Sequence, residues 1–401
     1  MPWIAFVFLM GHLSINQLSR QFLNNPDIVD ITGAQMVLVM KLSAFCWNVS
    51  DGTLPEKDLS DFQKERAIKQ LPNYLDFAGY VLFFPSLLVG PAFDYVDYKR
   101  WIETTMFEVP AGTDPSKKPP TRKKRKIPRS GTPAAWKAAT GLFWILIFLR
   151  LSGMYYNDLL TGPEYMNYGF IHRVFILHML GVTTRLKYYG VWTLTEGACI
   201  LTGLGYKGID PITGKVSWDR LRNVNPWGVE SAQNTRAYLG NWNINTNNWL
   251  RNYIYLRVTP RGKKPGFRAS MATFVTSAFW HGFYPGYYLS FILASFVQTV
   301  AKSTNLSSLS QWTSLTYPRF PPLFPTLLPR SQNLPANTLK NLLRYFLLPR
   351  HPTRLLLHHH TILSPYTSSL LPRLVLRLFL RCDRHRSLHS FLRFPSQAFL
   401  N

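Results

Sequence analysis

His281 is the one side chain titrating near neutral pH in residues 269–301, a run of 33 with no Asp, Glu, Lys or Arg. It stands in the string WHGFYPGYY, and Arg268 and Lys302 close the run on either side. An ionisable group inside so apolar a stretch is costly to keep there and marks a functional site. The plain alternative is a histidine satisfied by a neighbouring helix. A second cluster lies upstream, where NWNINTNNWLRNYIYLRV carries six asparagines between Asn241 and Asn252. Asn245 or Thr246 capping a helix that starts near Asn247 accounts for one or two of them. Such a helix sets Trp249, Leu250, Tyr253, Ile254 and Arg257 at helical spacing. Asn243, between Trp242 and Ile244, has no such structural need. An amide both donates and accepts hydrogen bonds. Beside a buried imidazole, it suits holding a hydroxyl and a carbonyl together.

Elements that could position these residues follow from the apolar runs. A bilayer core about 30 Å thick takes about 20 apolar residues in a helix. Candidate spans are residues 1–18, 31–49, 76–93, 134–156, 166–183, 187–206 and 269–301, with 134–156 the clearest because of GLFWILIFL. Lys41 in the second, and His172, Arg173 and His178 in the fifth, must face protein or water if they are buried. Residues 50–75, 94–133 and 207–240 read as polar connections. The last run is too long for one straight helix, since 33 residues would reach about 50 Å. Gly282, Pro285 and Gly286 predict a break just after His281. Irregular backbone at membrane depth is tolerated only in protein or beside a cavity, so the break places His281 next to one. The expected fold is an all-α, polytopic integral membrane bundle whose broken helix carries the histidine.

Bulk composition fits this fold once its distribution is considered. A mean hydropathy of −0.05 is low for a membrane protein, but polar loops and an unusual tail dilute the apolar blocks. Aromatics make up 15%, with 12 Trp, as suits membrane–water interfaces. Cys46, Cys199 and Cys382 are odd in number and widely spaced, and predict neither a disulfide framework nor a zinc site. Residues 2–10 are apolar with no basic flank or cleavage pattern, so no signal peptide is read there. The net charge of +25 points first to nucleic acid. However, eight of the bases lie in KKPPTRKKRKIPR, residues 117–129, with three prolines and no interleaved aromatics. That run reads as a solvated cytosolic loop able to touch anionic lipid, not as a nucleic-acid site. Residues 302–401 have no Gly or Glu, 25 Leu, 11 Pro, and 13 Lys/Arg against the single acid Asp383. No helical or strand period persists in this low-complexity tail. Its composition resembles an out-of-frame reading of coding sequence or a retained intron, and that is the hypothesis for this segment. Sequencing the transcript across codons 295–310 tests this, and an uninterrupted frame in close relatives contradicts it. His358, His359 and His360 lack acidic or cysteine partners and are not assigned a metal.

Several strings, taken in order, resemble the membrane-bound O-acyltransferase family, and within it the fungal lysophospholipid acyltransferase branch. They are PSLLVGPAFDY (residues 85–95), the pair Trp218-Asp219, NVNPWGVE (223–230), WNINTNNWLRNYIY (242–255) and WHGFYPGYYLSF (280–291). The resemblance covers residues 1–301 and implies a partial transmembrane acyltransferase domain. It implies that the family's histidine falls on His281 and its asparagine on Asn243. It also implies further spans before residue 1, apolar helices in place of the 302–401 tail, and an endoplasmic reticulum location.

The chemistry can also be argued from the residues. Acyl transfer from a thioester to an alcohol needs a base on the hydroxyl and a polarised carbonyl. Imidazole, with a pKa of about 6.5, is mostly neutral at pH 7 and accepts a proton. A thiol leaves well, so one base and hydrogen-bond donors suffice. General-base catalysis is worth about 10²–10⁴-fold. His281 is then the base on a lysophospholipid hydroxyl, acyl-CoA is the donor, and Asn243 orients the acceptor or steadies the oxyanion. No nucleophilic Ser or Cys, metal or other cofactor is required. Trp242, Asn247, Trp280 and Tyr284 are candidates to wall the cavity or touch substrate. Asp219, Glu230 and Arg257 are candidates for the polar head or CoA, although a structural salt bridge is the stronger reading for any one of them. Two alternatives remain within the family: another acceptor (sterol, diacylglycerol or protein), or an inactive chain. A transporter or membrane scaffold is the different class. A transporter would show a repeat in hydropathy, and none is found.

Overall fold

The computed structural model describes residues 1–23, 30–109, 118–123, 126–210, 212–260 and 262–303. It is helical apart from one two-stranded ribbon and an isolated bridge among those residues, in keeping with the expected all-α class. Helices α1 (Pro2–Leu23) and α2 (Thr32–Gly52) pair through Met10 and Leu13 against Val37, Met40 and Ala44. A polar seam runs along this pair. Asn16 donates to Gln35 Oε1 at 2.6 Å, and Gln35 Nε2 meets His12 Nδ1 at 3.1 Å. Polar groups inside an apolar surround are held when paired in this way.

Lys41 faces protein, as its position requires. It is 0% exposed. Its ammonium donates to the carbonyls of Tyr80 and Val81, and the Tyr80 and Phe93 rings lie 4.5 Å from it. These carbonyls end helix α4 (Tyr74–Val81), where backbone partial charge favours a cation. A short helix, α3 (Asp61–Arg66), precedes it, closed by a reciprocal Ser60–Gln63 cap.

Residues 76–93 do not form the expected span. They divide into α4, the single turn α5 (Phe84–Leu87) and an irregular segment ahead of α6 (Tyr95–Ile102). Pro85 sits at the start of α5, where its missing N–H costs nothing. Gly90 folds back onto Ser86, and a Cβ there would lie 2.3 Å from the Ser86 Cα. Composition showed an apolar run, but Pro and Gly decided its path.

Helices α7 (Gly131–Ser152) and α9 (Phe170–Thr202) make the most extensive helix pair, with the short α8 (Pro163–Asn167) between them in sequence. The expected spans 166–183 and 187–206 are therefore largely one helix of 33 residues, about 50 Å long. The charges at Arg185 and Lys187 interrupt the apolar pattern without interrupting the backbone. Glycines let the two helices approach. A Cβ on Gly190 would lie 2.4 Å from Ile145 Cγ1 and 3.1 Å from the Gly141 carbonyl. Small residues at such crossings are the usual means of close helix packing in membranes. Lys137 and the buried Glu196 pair at 2.8 Å across the same interface. His172 and His178 are exposed on α9, and His172 stacks on Tyr168.

Among the described residues, one stretch, Gly131–Leu160, is by itself long and apolar enough to cross a membrane. Large apolar side chains nevertheless face outward on several helices, including Val7 and Phe8 of α1, Leu142 and Leu146 of α7, and Ile171 and Phe175 of α9.

The basic segment is not wholly solvated. Ile127 and Pro128 are buried, and Thr121 bridges Pro128. Arg122 donates to the Leu201 carbonyl near the C-terminal end of α9. One isoleucine in a basic run is too little to show as a hydrophobic face, yet it anchors the segment. After α9 come the ribbon β1 (Gly208–Ile209) and β2 (Val216–Ser217). Then follow α10 (Pro226–Glu230), α11 (Thr235–Asn241), α12 (Ile244–Leu250) running into a π-helical turn (Arg251–Tyr255), α13 (Phe267–His281) and α14 (Pro285–Ser303). The out-of-frame reading of residues 302–401 falls outside the described residues, except at 302 and 303, which end α14.

Candidate active site

His281 is the last residue of α13, and the predicted break follows at once. Gly282 takes φ 125° and ψ −164°, a conformation that glycine adopts at little cost. Its N–H meets the carbonyls of Ala278 and Phe279 at 3.2 Å each. Pro285 then opens α14. The imidazole lies against Phe291, with centroids 5.2 Å apart and planes at 23°, and against Tyr287 at 5.4 Å. Neither ring nitrogen makes a hydrogen bond among the described residues. A packing histidine satisfied by a neighbouring helix would show such a bond. This ring is gripped by its faces, and its proton-accepting edge is uncommitted.

The break is held from the side by α1. Gln17, 2% exposed, donates Nε2 to the Trp280 carbonyl at 2.7 Å. Its Cδ also lies 3.7 Å from where a Cβ on Gly282 would be. Gln17 thus bonds the backbone just before His281, and its side chain fills the space beside Gly282 just after it. Hydropathy over residues 1–18 hides Gln17, because a single amide does not interrupt an apolar run. The signal was there in Gln17, Arg20 and Gln21, which fall on one helical face.

The asparagine string divides into structural amides and one uncommitted amide. The helix begins at Ile244, earlier than the expected start near Asn247, and neither Asn245 nor Thr246 caps it. Asn223 of NVNPWGVE satisfies its first N–H groups instead. The Asn223 carbonyl accepts from Ile244 N at 2.8 Å, and its Oδ1 from Asn245 N at 3.1 Å. Asn225 donates to Asn241 Oδ1 at 3.0 Å, and the exposed Asn247 donates to the Leu239 carbonyl at 3.0 Å. These amides clamp two chain segments together. Asn243 is the residue before the helix and sits at φ 44°, ψ 55°. That left-handed conformation favours Asn among non-glycine residues, so the position has a structural reason to be Asn after all. Its side chain makes no hydrogen bond among the described residues.

No hydrogen bond joins Asn243 to His281. Their neighbours do meet, since Trp249 of α12 lies 6.2 Å from Trp280 and α11 packs on α14. Trp280 itself is core: buried, with Nε1 donating to the Met36 carbonyl at 3.0 Å. Trp242 packs among Tyr188, Tyr189, Trp192 and Tyr238. Tyr284 is half-buried and lies edge-on to Tyr287.

The three charged candidates are all held in ion pairs. Arg257 forks onto Asp51, at 2.7 Å for the Nη1 contact, and covers the Trp47 ring. Glu230 accepts two bonds from Arg185 at 2.8 Å and one from the Tyr189 hydroxyl at 2.7 Å. Burial alone would raise the Glu230 carboxyl, but the Arg185 and Tyr189 hydrogen bonds outweigh it and hold it below the ordinary range. Asp219 behaves likewise. Burial pulls it up, while the Ser217 hydroxyl, Lys207 and Arg222 bring it below the ordinary range. These carboxylates tie loops to helices and do not reach His281 through any hydrogen bond. The described residues contain no cluster of His, Cys, Asp and Glu that could hold a metal.

Comparison with known proteins bears on the same residues. The model of the membrane-bound O-acyltransferase family matches residues 27–323, past the change of composition at 302. A lysophospholipid acyltransferase of Schizosaccharomyces pombe is 46% identical over 304 residues, covering 76% of this chain and 58% of that protein. One from Saccharomyces cerevisiae is 46% identical over 310 residues, 75% of this chain and 50% of the other. The human membrane-bound glycerophospholipid O-acyltransferase 1 is 31% identical over 309 residues, 75% and 59% respectively. The chain therefore spans between 50% and 59% of the length of these relatives. A match across most of the chain, taking in both the asparagine string and the broken helix with its histidine, makes it a member of the membrane-integral, membrane-bound O-acyltransferase family.

Proposed function

We propose that the chain transfers an acyl group from acyl-CoA to the free hydroxyl of a lysophospholipid, in the membrane of the endoplasmic reticulum. The observation that carries this reading is His281, fixed by its faces at a helix break with neither ring nitrogen hydrogen-bonded among the described residues. One nitrogen takes the hydroxyl proton as the oxygen attacks the thioester carbonyl. The tetrahedral intermediate carries an oxyanion, which Asn243 steadies unless its amide orients the acceptor instead. Collapse breaks the carbon–sulfur bond, and the imidazolium returns its proton to the departing CoA thiolate. The ester forms directly, without an acyl-enzyme, and the scheme needs no metal or prosthetic group. Support for the lysophospholipid acceptor comes from the names of the yeast relatives.

The test is acyl transfer in membranes of a host lacking its own activity, using labelled oleoyl-CoA and a panel of lysophospholipids, a sterol and diacylglycerol. Labelled phospholipid is the expected product. Label on sterol or diacylglycerol alone would assign a different acceptor, and no label from well-inserted protein would refute turnover by this chain.

A further inference from the structure

Among the described residues, three polar atoms on one face of α1 are buried without a hydrogen-bond partner: Gln17 Oε1, Arg20 Nε and Gln21 Oε1. Positions 17, 20 and 21 share a helix face, and buried polar groups are otherwise paired. This face lies beside the base. Gln17 donates to the Trp280 carbonyl just before His281 and lies beside Gly282 just after it. The charge of Arg20 acts on His281, on Tyr287 and on Tyr188. Among the described residues Arg20 forms one ion pair, Nη1 to Asp30 at 3.3 Å, and its Nε has no hydrogen-bond partner.

We propose that Arg20 binds the phosphodiester of the acceptor lipid, with Gln17 as the positioning residue that fixes the His281 backbone. This rests on the acyl-transfer reading above. The argument is one of reach. In a lysophospholipid the free glycerol hydroxyl and the phosphate are only a few bonds apart. Arg20 is one turn beyond Gln17, a rise of about 4.5 Å. A lipid with its hydroxyl at His281 has its phosphate within reach of this turn of α1. Acyl-CoA also carries phosphates, but its whole pantetheine arm separates them from the thioester, so a group this close to the base meets the acceptor. A planar fork that is always charged suits a phosphodiester. Recognition of the phosphate, common to all lysophospholipids, selects against neutral monoacylglycerols and leaves the headgroup nitrogen unread.

The experiment compares Arg20→Gln, Arg20→Lys and Asp30→Asn in membranes, with insertion and thermal stability checked. Arg20→Gln is expected to raise KM for lysophospholipid roughly ten- to hundredfold, the loss of hydrogen bonds to a charged group. KM for acyl-CoA stays unchanged, and Arg20→Lys restores part of the loss. Asp30→Asn, which breaks the ion pair but keeps the guanidinium, leaves KM for lysophospholipid unchanged. A rise confined to KM for acyl-CoA assigns the phosphate to the donor and overturns the proposal, as does no change in either KM. A second arm reads binding without turnover: retention of labelled lysophospholipid and of labelled monoacylglycerol by purified His281→Ala protein with and without Arg20→Gln. Loss of lysophospholipid alone supports the proposal even if the wild type turns nothing over. Equal retention overturns it even if acyl transfer is confirmed.

Discussion

At the scale of single residues, the site separates into groups already committed and groups that are not. Among the described residues the His281 and Asn243 side chains make no hydrogen bond, whereas Asp219, Glu230 and Arg257 are engaged in ion pairs. Asn243 has two reasons to be Asn, its backbone and its amide, and one substitution separates them. Asn243→Gly keeps φ 44° accessible while removing the amide. We expect thermal stability near wild type and turnover reduced about 10²–10³-fold, the loss typical of one oxyanion donor. An equal fall in stability would show that the amide is structural. For Glu230, whose folded pKa is depressed, the sign is fixed. Its contribution is present above the unfolded value and is lost as pH falls through the folded one. Thermal unfolding in detergent should therefore lose stability below about pH 4.5. In Glu230→Gln that acid-side loss should shrink, and stability at pH 7 should be lower by about 1 kcal/mol. The histidine was legible in the sequence because it stood alone among apolar residues. The clamp of Asn223 and Asn225 on Asn241 and Asn245 was not, because partners 16 and 22 residues apart leave no periodic trace.

Helices raise a different question, since the apolar runs located them better than they bounded them. The break after His281 was legible because Gly282 and Pro285 act locally. The continuity of α9 was not, because Arg185 looks like a span boundary until its partner Glu230 is known. Residues 76–93 looked like a span because hydropathy averages over Pro85, Gly90 and Pro91. Two glycines make direct predictions at this scale. Gly190→Leu inserts a side chain where even a Cβ meets Ile145 at 2.4 Å. It should cost about 1–3 kcal/mol by overpacking α7 against α9, read as a lower unfolding temperature. Gly282→Ala places a Cβ at φ 125°. It should cost about 1–3 kcal/mol of backbone strain and shift His281. Turnover should fall although His281 itself is intact, and unchanged turnover would mean that the break does not position the base.

For the whole molecule, outward apolar side chains on a chain of this family mean that lipid, not water, is the solvent for those faces. Leu146 on α7 is 65% exposed. In water Leu146→Arg would be neutral, but in a bilayer it should oppose insertion by about 2.5–3.5 kcal/mol. Extraction of the wild type and Leu146→Arg with alkaline carbonate distinguishes the two: the variant should shift to the soluble or degraded fraction, and equal retention would place α7 outside lipid. The all-α membrane class was legible from the apolar runs and the order of motifs. The arrangement of helices was not, because a small-residue crossing such as Gly141–Gly190 depends on which helices become neighbours. The central claim is that His281 is the base for direct acyl transfer. Its most direct test is the initial rate of lysophospholipid acylation by His281→Ala against the wild-type chain, at matched amounts of inserted protein. A rate lower by about 10²–10⁴-fold, with insertion unchanged, is the prediction. A rate within a few fold of wild type would contradict it.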